Sequence, residues 1–585
     1  AYRCVAVDSS GECKAKTPAT SPAYWQAKTC RVELSSDPFT EKGIVKITAV
    51  ASSTSATVDV LTEVGSTSAT TDWAEGSWSA LRGYPSSVIF YQDRLVFAGS
   101  VYEPQTLWFS MTGSYADFGR SDPLVDSDGI SINLPSRKMN GIKNMIGLGE
   151  ILAFTSATEW SIGPSQSGII TPTSIDTKVQ GYRGSNGVTP LVIGNRVIFI
   201  QPMGSVLSDF VYDYTVNGYV SGDLVIMANH LFDLYDINDM AYQQEPDSIV
   251  WCIRSDGIMP SMTYMKEQEV LAWTWHDTGE VLDADGNQLS LDSFESIASI
   301  PGDGFNEIWL VVKRGTKRFV ERMVQRLATL DPKDQFFVDC GISYDSPMTI
   351  TGATKADPVV ITTSEHHGFS NGDLIDIQHV EGMTEINELR FKIKNKTDHT
   401  FELTDPATDA NIDGTAYTTY ISGGQARKAQ TVITGLSHLE GKTVSILADG
   451  SVLPQQVVAS GQITITPAAG IVHVGLPYTS DIETLNIELQ TNEGTIQGRK
   501  IKAVSAILRF LNSRGGWIGP EKDYIDEIAQ RMTEYLDNPI NLFSGDIEEV
   551  LGANYDTGGR VFYRQLDPLP FTILAVIPKV VIGGM

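Results

Sequence analysis

The chain has 585 residues, of which 42% are hydrophobic and 9% aromatic, and this predicts about three or four globular domains with ample apolar core. Its 71 acidic side chains against 43 basic ones give a formal charge of −28, which argues against a surface that grips nucleic-acid phosphates, although DNA can slide past an acidic wall. The 5 cysteines include no Cys-x-x-Cys pair, so we interpret them as reduced and mostly structural rather than as a disulfide framework or a zinc site.

The first 72 residues are predicted to form a small β segment. The chain starts with Ala-Tyr-Arg-Cys and no Met, in the middle of a strand-like pattern, so we expect an N-terminal part to have been cleaved or to be missing. Apolar and polar residues alternate in 44–50, and a second strand-like run at 56–61 follows a Ser/Thr turn. This pattern predicts a hairpin.

Residues 73–346 are predicted to form the main body, and within them 85–330 carry a degenerate repeat of short apolar runs broken by Gly, Pro, Asp and Ser, which is typical of antiparallel strands. Its strands start near Val88, Met145, Val192, Ile249 and Ile308. Most are followed by a strand with an aromatic residue, at 107–109, 159–161, 209–212, 262–264 and 318–320. The period of about 45 to 60 residues predicts a β-propeller-like body of four-stranded blades. A large β-sandwich with accidental spacing is the alternative.

Three further parts complete a mainly β chain. Residues 347–425 are predicted to be an inserted small β-barrel, and 426–499 a small β domain with hairpin turns at 449–450 and 460–461. Residues 500–585 are predicted to return to the main body. They would form a long strand around 504–511, a short amphipathic helix at 523–537, and a final strand pair within 571–581.

Several motifs that resemble ligand sites fail on closer inspection. The segment 435–443 resembles a phosphate-binding loop, but it has one residue too many between its glycines and leads into a strand-like run instead of a helix. The Asp-rich segments 126–129 and 283–286 resemble partial calcium loops with an apolar residue at the first ligand position, so we predict Asp-Gly turns. The adjacent His366 and His367 would point to opposite faces of a strand, and we assign them, like His276, structural or surface roles.

No catalytic signature is present either. The chain has no Gly-x-Ser-x-Gly elbow, and no pair of carboxylates, such as Glu159 with Asp209, is favoured over the others by its sequence context. We therefore predict a protein that is not an enzyme and that needs no cofactor or metal.

Two neighbouring stretches carry a resemblance to a known family. They are 78–85 (WSALRGYP) and 90–99 (FYQDRLVFAG), with further matching stretches at 104–110, 269–276, 319–322 and 567–571. The chain resembles the tail nozzle protein, or tail tubular protein B, of short-tailed bacteriophages over about 73–330 and 500–585. The insert is similar to a small β-barrel module of phage tail proteins that also resembles a domain of ubiquitin-activating enzymes, on the basis of 367–373 (HGFSNGD) and 401–405 (FELTD). The cysteine chemistry of those enzymes does not carry over, because the insert has no cysteine.

The resemblance implies a structural protein of the virion tail, a homohexameric tube through which double-stranded DNA leaves without tight binding. It also implies an adaptor protein above the tube, tail fibres or spikes on its outside, and the host envelope surface at its distal end. The alternative is a propeller-type tail protein that binds or hydrolyses host glycans, which would need convergent carboxylates and aromatic residues at one mouth of the propeller.

The apolar C-terminal strands are the predicted contact between subunits, with candidate residues Val504, Leu508, Phe510, Phe571 and Leu574. If the tube is a DNA conduit, acids should outnumber bases along its lumen, and isolated bases would act as brakes or register points. Lys500, Lys502 and Arg509 are the candidates for such bases. The alternative is that these bases pair with acids within the wall.

Overall fold

The computed structural model describes residues 3–7, 12–16, 30–35, 42–63, 72–80, 82–121, 123–136, 140–165, 168–282, 288–325, 331–491, 494–530 and 541–583. The chain divides into two compact units. Unit 1 comprises Ala1–His276 and Glu295–Asn306, and unit 2 comprises Asp277–Phe294 and Glu307–Met585.

Unit 1 opens with a six-stranded sheet of order β1-β2-β5-β4-β3-β6. Its strands are β1 (Arg3–Val7), β2 (Glu12–Lys16), β3 (Cys30–Ser35), β4 (Lys42–Ser52), β5 (Ser55–Thr62) and β6 (Asp72–Glu75). Strands β4 and β5 pair antiparallel across the turn between Ser52 and Ser55, which confirms the predicted hairpin.

Four four-stranded antiparallel sheets follow, each built from strands consecutive in the sequence. The first contains β7 (Ser87–Tyr91), β8 (Arg94–Ala98), β9 (Thr106–Phe109) and β10 (Ile130–Asn133); the second β11 (Ile142–Gly147), β12 (Ile151–Thr155), β13 (Glu159–Gly163) and β14 (Asp176–Gly181). The third contains β15 (Leu191–Ile193), β16 (Arg196–Ile200), β17 (Leu207–Asp213) and β18 (Gly218–Asp223); the fourth β19 (Ile237–Gln243), β20 (Ile249–Arg254), β21 (Met259–Met265) and β22 (Val270–His276).

These sheets confirm a propeller-like body. Strands containing Val88, Met145 and Val192 open the first three sheets, but Ile249 begins the second strand of the fourth, one strand later than the repeat predicted. The aromatic strands at 107–109, 159–161, 209–212 and 262–264 are each the third strand of their sheet. The repeat is therefore real, and its irregular period reflects connections of different length between the sheets.

The apolar cores of unit 1 lie between consecutive sheets, as blade-on-blade packing requires. One core joins the first and second sheets and includes Phe109 and Trp160. A second, around Phe154 and Phe199, joins the second and third sheets, with ring centroids 5.0 Å apart. A third core joins the third and fourth sheets around Ile198. No sheet buries its apolar faces alone, so the sheets stabilise one another.

The first sheet is organised around a buried charge. The hairpin turn between β7 and β8 has left-handed backbone at Gln92 and Asp93 (φ 45° and 58°), and it places Arg94 in the inward register of β8 with only 2% of its surface exposed. The Arg94 guanidinium donates hydrogen bonds to the carbonyl oxygens of Ser110 (2.7 Å), Asp128 (2.6 Å) and Asp126 (2.7 Å). It thus satisfies two backbone carbonyls of the segment 126–129 that resembled a calcium loop.

The strands that follow include two hairpins of unit 2. After β23 (Glu280–Leu282), β24 (Gln288–Leu291) and β25 (Ser293–Pro301), the chain forms β26 (Asn306–Arg314) and β27 (Lys317–Arg322). Strand β23 pairs with β24, and β26 with β27, both antiparallel. The second Asp-rich segment, 283–286, lies outside the described residues.

Unit 2 also contains a closed six-stranded barrel, which confirms the β-barrel predicted at 347–425. The relevant strands are β28 (Asp339–Asp345), β29 (Met348–Ala353), β30 (Val360–Thr363), β31 (Leu374–Glu381), β32 (Leu389–Lys394), β33 (Thr400–Thr404) and β34 (Ser422–Thr434). The barrel order is β29-β30-β33-β32-β31-β34, closed by pairing of β29 with β34. Its core includes Phe391, Phe401 and Leu403.

A small sandwich adjoins the barrel. Its strands β35 (Thr443–Ala448), β36 (Ser451–Val457), β37 (Gln462–Ala469) and β38 (Ile471–Leu476) follow β34 in the sequence. The sheet β28-β38-β35-β36 faces the antiparallel pair formed by β34 and β37, and Ile433, Ile446 and Val474 lie in the core between them. Strand β34 therefore continues past residue 425, the predicted boundary, and belongs to both the barrel and the sandwich. The segment 435–443 leads into β35, as the turn-before-strand interpretation predicted.

The C-terminal part of unit 2 forms two further sheets and a small hairpin. Its strands are β39 (Ser480–Glu483), β40 (Gln490–Thr491), β41 (Gly494–Thr495), β42 (Ile501–Ser513), β43 (Trp517–Glu521), β44 (Tyr524–Glu527), β45 (Phe543–Val550), β46 (Phe562–Gln565) and β47 (Ile573–Ile582). The sheets have the orders β39-β46-β43-β44 and β45-β42-β47, and β40 pairs with β41. Strand β42 confirms the long strand predicted at 504–511.

Two C-terminal predictions are wrong. The helix predicted at 523–537 begins instead as strand β44, because Tyr524–Glu527 pairs with β43 and this tertiary pairing overrides the helical spacing of the apolar residues; 531–540 lie outside the described residues. The strand pair predicted within 571–581 is one strand, β47. Pro578 does not turn the chain there, because β47 is an edge strand, where a residue without an N–H is tolerated.

The helices within the described part of the chain are single 3₁₀ turns, at Asn229–Leu231, Lys266–Gln268, Pro332–Asp334, Thr384–Ile386 and Ser437–Leu439. None of the helices in that part of the chain has the length and apolar character needed to cross a membrane.

Candidate functional site: the outer face of the C-terminal sheet

The sheet β45-β42-β47 carries the residues predicted to contact other subunits and the lumen. Strand β42 is its central strand, paired with β45 on one side and with β47 on the other. Because side chains of a strand alternate between two faces, β42 sends one set into the core of unit 2 and the other outward. The two sets have different chemical roles.

The inner face contains two of the predicted interface residues. Leu508 and Phe510 are 0% and 1% exposed and belong to the core of the sheet, so their side chains stabilise this fold and offer no surface to a partner. Phe571 is half-buried against the same core, with its ring centroid 5.5 Å from that of Phe510. Val504 is also half-buried. Of the five candidates, only Leu574, which is 57% exposed, presents most of its side chain to solvent.

The outer face carries two ion pairs. Arg509 makes a bidentate pair with Asp546 across β42 and β45, with N–O distances of 2.8 and 2.9 Å. Lys579 of β47 lies 2.7 Å from Glu548, which also accepts a hydrogen bond of 2.8 Å from Ser505. The hydrogen bonds from Arg509 lower the pKa of Asp546, and those from Lys579 and Ser505 lower the pKa of Glu548. Both carboxylates are therefore ionised at neutral pH, each beside a basic partner that offsets its charge.

Between these pairs the face is apolar. The exposed hydrophobic side chains are Leu511 (37%), Val550 (75%), Leu574 (57%), Ile577 (45%) and Val581 (46%). The ions are paired locally, so the face is close to neutral on a chain whose formal charge is −28. Such a surface is suited to adhesion to another protein surface, because contact there buries apolar area without opposing net charge.

The three bases predicted for a lumen differ in their surroundings. Arg509 has the acid partner described above, as the alternative interpretation predicted. Lys500 is exposed, and its carbonyl oxygen accepts a hydrogen bond from the N–H of Gly583 at 2.7 Å. Lys502 is half-buried on β42. Whether these residues line a channel stays a prediction.

Sequence reasoning missed two buried arginines. The first is Arg94, which occupies an inward position of a strand in which Val96 and Ala98 are also buried. A charged residue at the same alternation as two apolar core residues could have indicated a buried arginine. The second is Arg314 of unit 2, whose Nε and Nη2 donate to Glu321 at 2.6 and 2.7 Å. Arg314 also contacts Asp339 at 2.9 Å and Asp292 at 3.4 Å. No local sequence pattern predicts this cluster, because its members come from separate strands and loops.

The histidines and acids of the described residues give no metal site, since no group of three or more His, Cys, Asp or Glu side chains there is placed to hold an ion. His367 is buried in the barrel, where its ring stacks on Phe369 and its Nδ1 accepts the N–H of Phe369 at 3.0 Å. His276 shares a hydrogen bond of 3.0 Å with Ser261. Both contacts suit the structural roles that the sequence predicted.

One family match agrees with this geometry. Residues 355–430 match the family described as the Ubiquitin-activating enzyme E1 FCCH domain. The matched segment contains β30 to β33 and the first part of β34, so it confirms the barrel resemblance predicted from 367–373 and 401–405. It covers much less than half of the chain and describes the barrel alone. No curated protein matches the chain.

Solved structures resemble the chain only faintly. Raptor from Chaetomium thermophilum is 9% identical with a TM-score of 0.26, and the match covers 55% of this chain and 27% of Raptor. A KlHsv2 variant with loop 6CD replaced by a Gly-Ser linker is 9% identical with a TM-score of 0.26, covering 69% of this chain and 98% of that one. A protein from Lactobacillus plantarum is 9% identical with a TM-score of 0.25, covering 68% and 100%. Similarities this weak carry no argument about function. The structure and the family match together show a mainly β chain that contains an FCCH-like barrel.

Proposed function

We propose that the chain is a structural virion protein that forms the homohexameric nozzle of a short phage tail. The genome would leave through its lumen, an adaptor would bind above it, and fibres or spikes would attach outside. The observation that carries the proposal is the resemblance of 78–85 and 90–99 to the nozzle family. In this chain the second stretch contains the end of β7 and all of β8, and it includes the buried Arg94, which donates a hydrogen bond to the carbonyl oxygen of Ser110 in the same sheet region.

The surface of the C-terminal sheet supports the assembly part of the proposal. A chain with a formal charge of −28 repels its own copies, and the repulsion is weakest where acids are neutralised. The outer face of β45-β42-β47 is such a place, because its acids are paired and its exposed Leu574, Ile577 and Val581 are apolar. We assign the contact between copies to this face.

The test is the oligomeric state of purified protein, measured by light scattering and by class averages of negatively stained particles. We expect rings of six copies, and a variant Leu574→Asp/Val581→Asp that stays monomeric with an unchanged circular dichroism spectrum. Leu485→Asp is the matched control, because Leu485 is 87% exposed and belongs to none of the three strands of this sheet. Three-fold or twelve-fold rings, or monomers at all concentrations, would overturn the hexamer. Release of reducing sugar from host polysaccharide would favour a glycan hydrolase instead.

A second test addresses the conduit. Each lasting Lys/Arg–phosphate contact steepens the salt dependence of binding by about one unit, so many in series would stall a moving duplex. We therefore expect duplex DNA to bind more weakly than about 10 μM at physiological salt, at or below ordinary non-specific binding. Submicromolar affinity in an anisotropy titration would contradict a wall past which DNA slides.

A further inference from the structure

Unit 1 exposes a further set of large apolar side chains. The connection between the third and fourth sheets, residues 224–236, exposes Ile226 (71%), Met227 (91%) and Leu234 (97%), and the turn at 201–206 beside it exposes Met203 (83%). We call these four side chains the apolar prong. The turn and the connection are joined, because the N–H of Ile237 donates to the carbonyl oxygen of Gly204 at 2.9 Å.

The prong is held on a fixed base. The same connection buries Leu224 and Phe232, which are 5% and 0% exposed. The indole N–H of Trp273 donates to the carbonyl oxygen of Leu224 at 2.9 Å, and the Arg254 guanidinium lies 4.1 Å from the ring centroid of Tyr235. Exposure of the prong is therefore not the fraying of a loose loop. Within the same connection, Leu224 and Phe232 are buried, whereas Ile226, Met227 and Leu234 are exposed to solvent.

Leu234 is the most informative member. Its backbone has φ +73°, a left-handed conformation that is costly for a bulky side chain, and its side chain is almost fully in water. A glycine would remove both costs. Strained backbone of this kind clusters at functional sites, and the combination with an exposed aliphatic side chain marks Leu234 as a residue kept for a contact outside the chain.

The rim of the prong is acidic. Asp233 and Asp236, on either side of Leu234 in the sequence, are exposed, and among the described residues neither forms an ion pair with a lysine or arginine. The nearby Arg254 is instead paired with Asp256. An apolar centre with an uncompensated negative rim selects a partner with the complementary arrangement.

We propose that the apolar prong docks a protein partner whose contact surface is apolar at its centre and carries lysine or arginine at its edge. The charge argues for this occupant over two others. A second copy of this chain, at −28, would oppose the rim with like charge, and an anionic lipid surface would do the same. The proposal does not depend on the nozzle assignment, because it rests on unit 1 alone.

The experiment uses the full chain and a fluorescein-labelled model peptide of alternating leucine and lysine, with a leucine–glutamate peptide as its counterpart. Anisotropy titrations compare wild type, Met227→Ser/Leu234→Gly and Asp233→Asn/Asp236→Asn. The control Tyr214→Ser/Val216→Gly removes side chains that are 88% and 62% exposed in the turn between β17 and β18, at the other end of that hairpin from the prong. We expect the first variant to lose at least tenfold in affinity for the lysine peptide. The second should lose several-fold and show a flatter salt dependence, and the control should match wild type.

A thermal melt separates docking from folding. Leu234→Gly alone should melt no lower than wild type, since it relieves the left-handed strain, and should still lose affinity. Equal binding of the lysine peptide by all variants would show that net charge alone holds it, and would overturn the proposal. So would equal binding of the glutamate peptide. Prong-dependent flotation with phosphatidylcholine vesicles, or prong-dependent dimers in light scattering, would replace the proposed partner by a lipid surface or a second copy.

Discussion

Replacing Arg94 with methionine should unfold the first sheet at a denaturant concentration well below the wild-type value. The substitution keeps an unbranched apolar stem but removes the guanidinium. The carbonyl oxygens of Ser110, Asp126 and Asp128 then lose donors at 2.6 to 2.7 Å in a site with 2% exposure. Nothing else among the described contacts of this loop replaces them.

The magnitude follows from two opposing effects. Hydrogen bonds to a charged group contribute about 1.5–3 kcal/mol each, but a neutral side chain also escapes the cost of burying a charge. That cost is real here, since burial lowers the pKa of Arg94 below its ordinary value. We therefore expect a net loss of about 3–5 kcal/mol, typical of breaking a buried charged interaction. This is a large part of a typical domain stability of about 5–15 kcal/mol.

Urea titrations followed by tryptophan fluorescence and circular dichroism measure the effect, with attention to the first transition because two units need not unfold together. Arg120→Met is the matched control. Arg120 is exposed and donates to the carbonyl oxygens of Gly129 and Ser131 at 3.2 and 3.1 Å, so its loss should cost less than about 1 kcal/mol. Equal midpoints for the two variants would refute the role assigned to Arg94. A rise in the melting temperature of Arg94→Met on adding calcium would show that a cation can take its place.

Three further outcomes are expected. Burial lowers the pKa of His367 and of His473 below 6.5, so unit 2 has its full stability above that pH and should lose stability as the pH falls from 6.5 towards the folded-state pKa values. His473→Gln should make the urea midpoint depend less on pH in this window, and an unchanged pH dependence would contradict the assignment. Deleting 350–424 with a short Gly-Ser bridge should leave the main thermal transition in place, because the flanking residue pair Thr349 and Gln425 are direct neighbours in the sheet; its loss would show that the barrel belongs to the core. Arg314→Met should destabilise unit 2 by about 3–5 kcal/mol, because Asp292, Glu321 and Asp339 would lose their shared cation in a buried site, and a urea midpoint equal to the wild-type value would contradict this.

The sequence by itself determined the features that depend on local patterns. Alternation and turn residues predicted a mainly β chain, the hairpin at 44–61, the strands of the propeller-like repeat and the barrel at 347–425. The aromatic strands were found because a side chain that packs between neighbouring sheets recurs at one place in every sheet. These features depend on the spacing of apolar and turn residues that are close together in the sequence, so they can be predicted from it.

Only the tertiary structure decided which groups meet. Strand β42 is apolar on both faces, so its sequence could not show that Leu508 and Phe510 face the core while Ile507 and Leu511 face outward. The segment after 523 has helical spacing, yet pairing with β43 makes its start a strand. The partners of a buried charge such as Arg314 lie on strands and loops that the sequence does not place side by side. Charge pairing, and the choice of the buried face in a strand that is apolar on both faces, depend on distances in space that the periodicity along the chain does not encode.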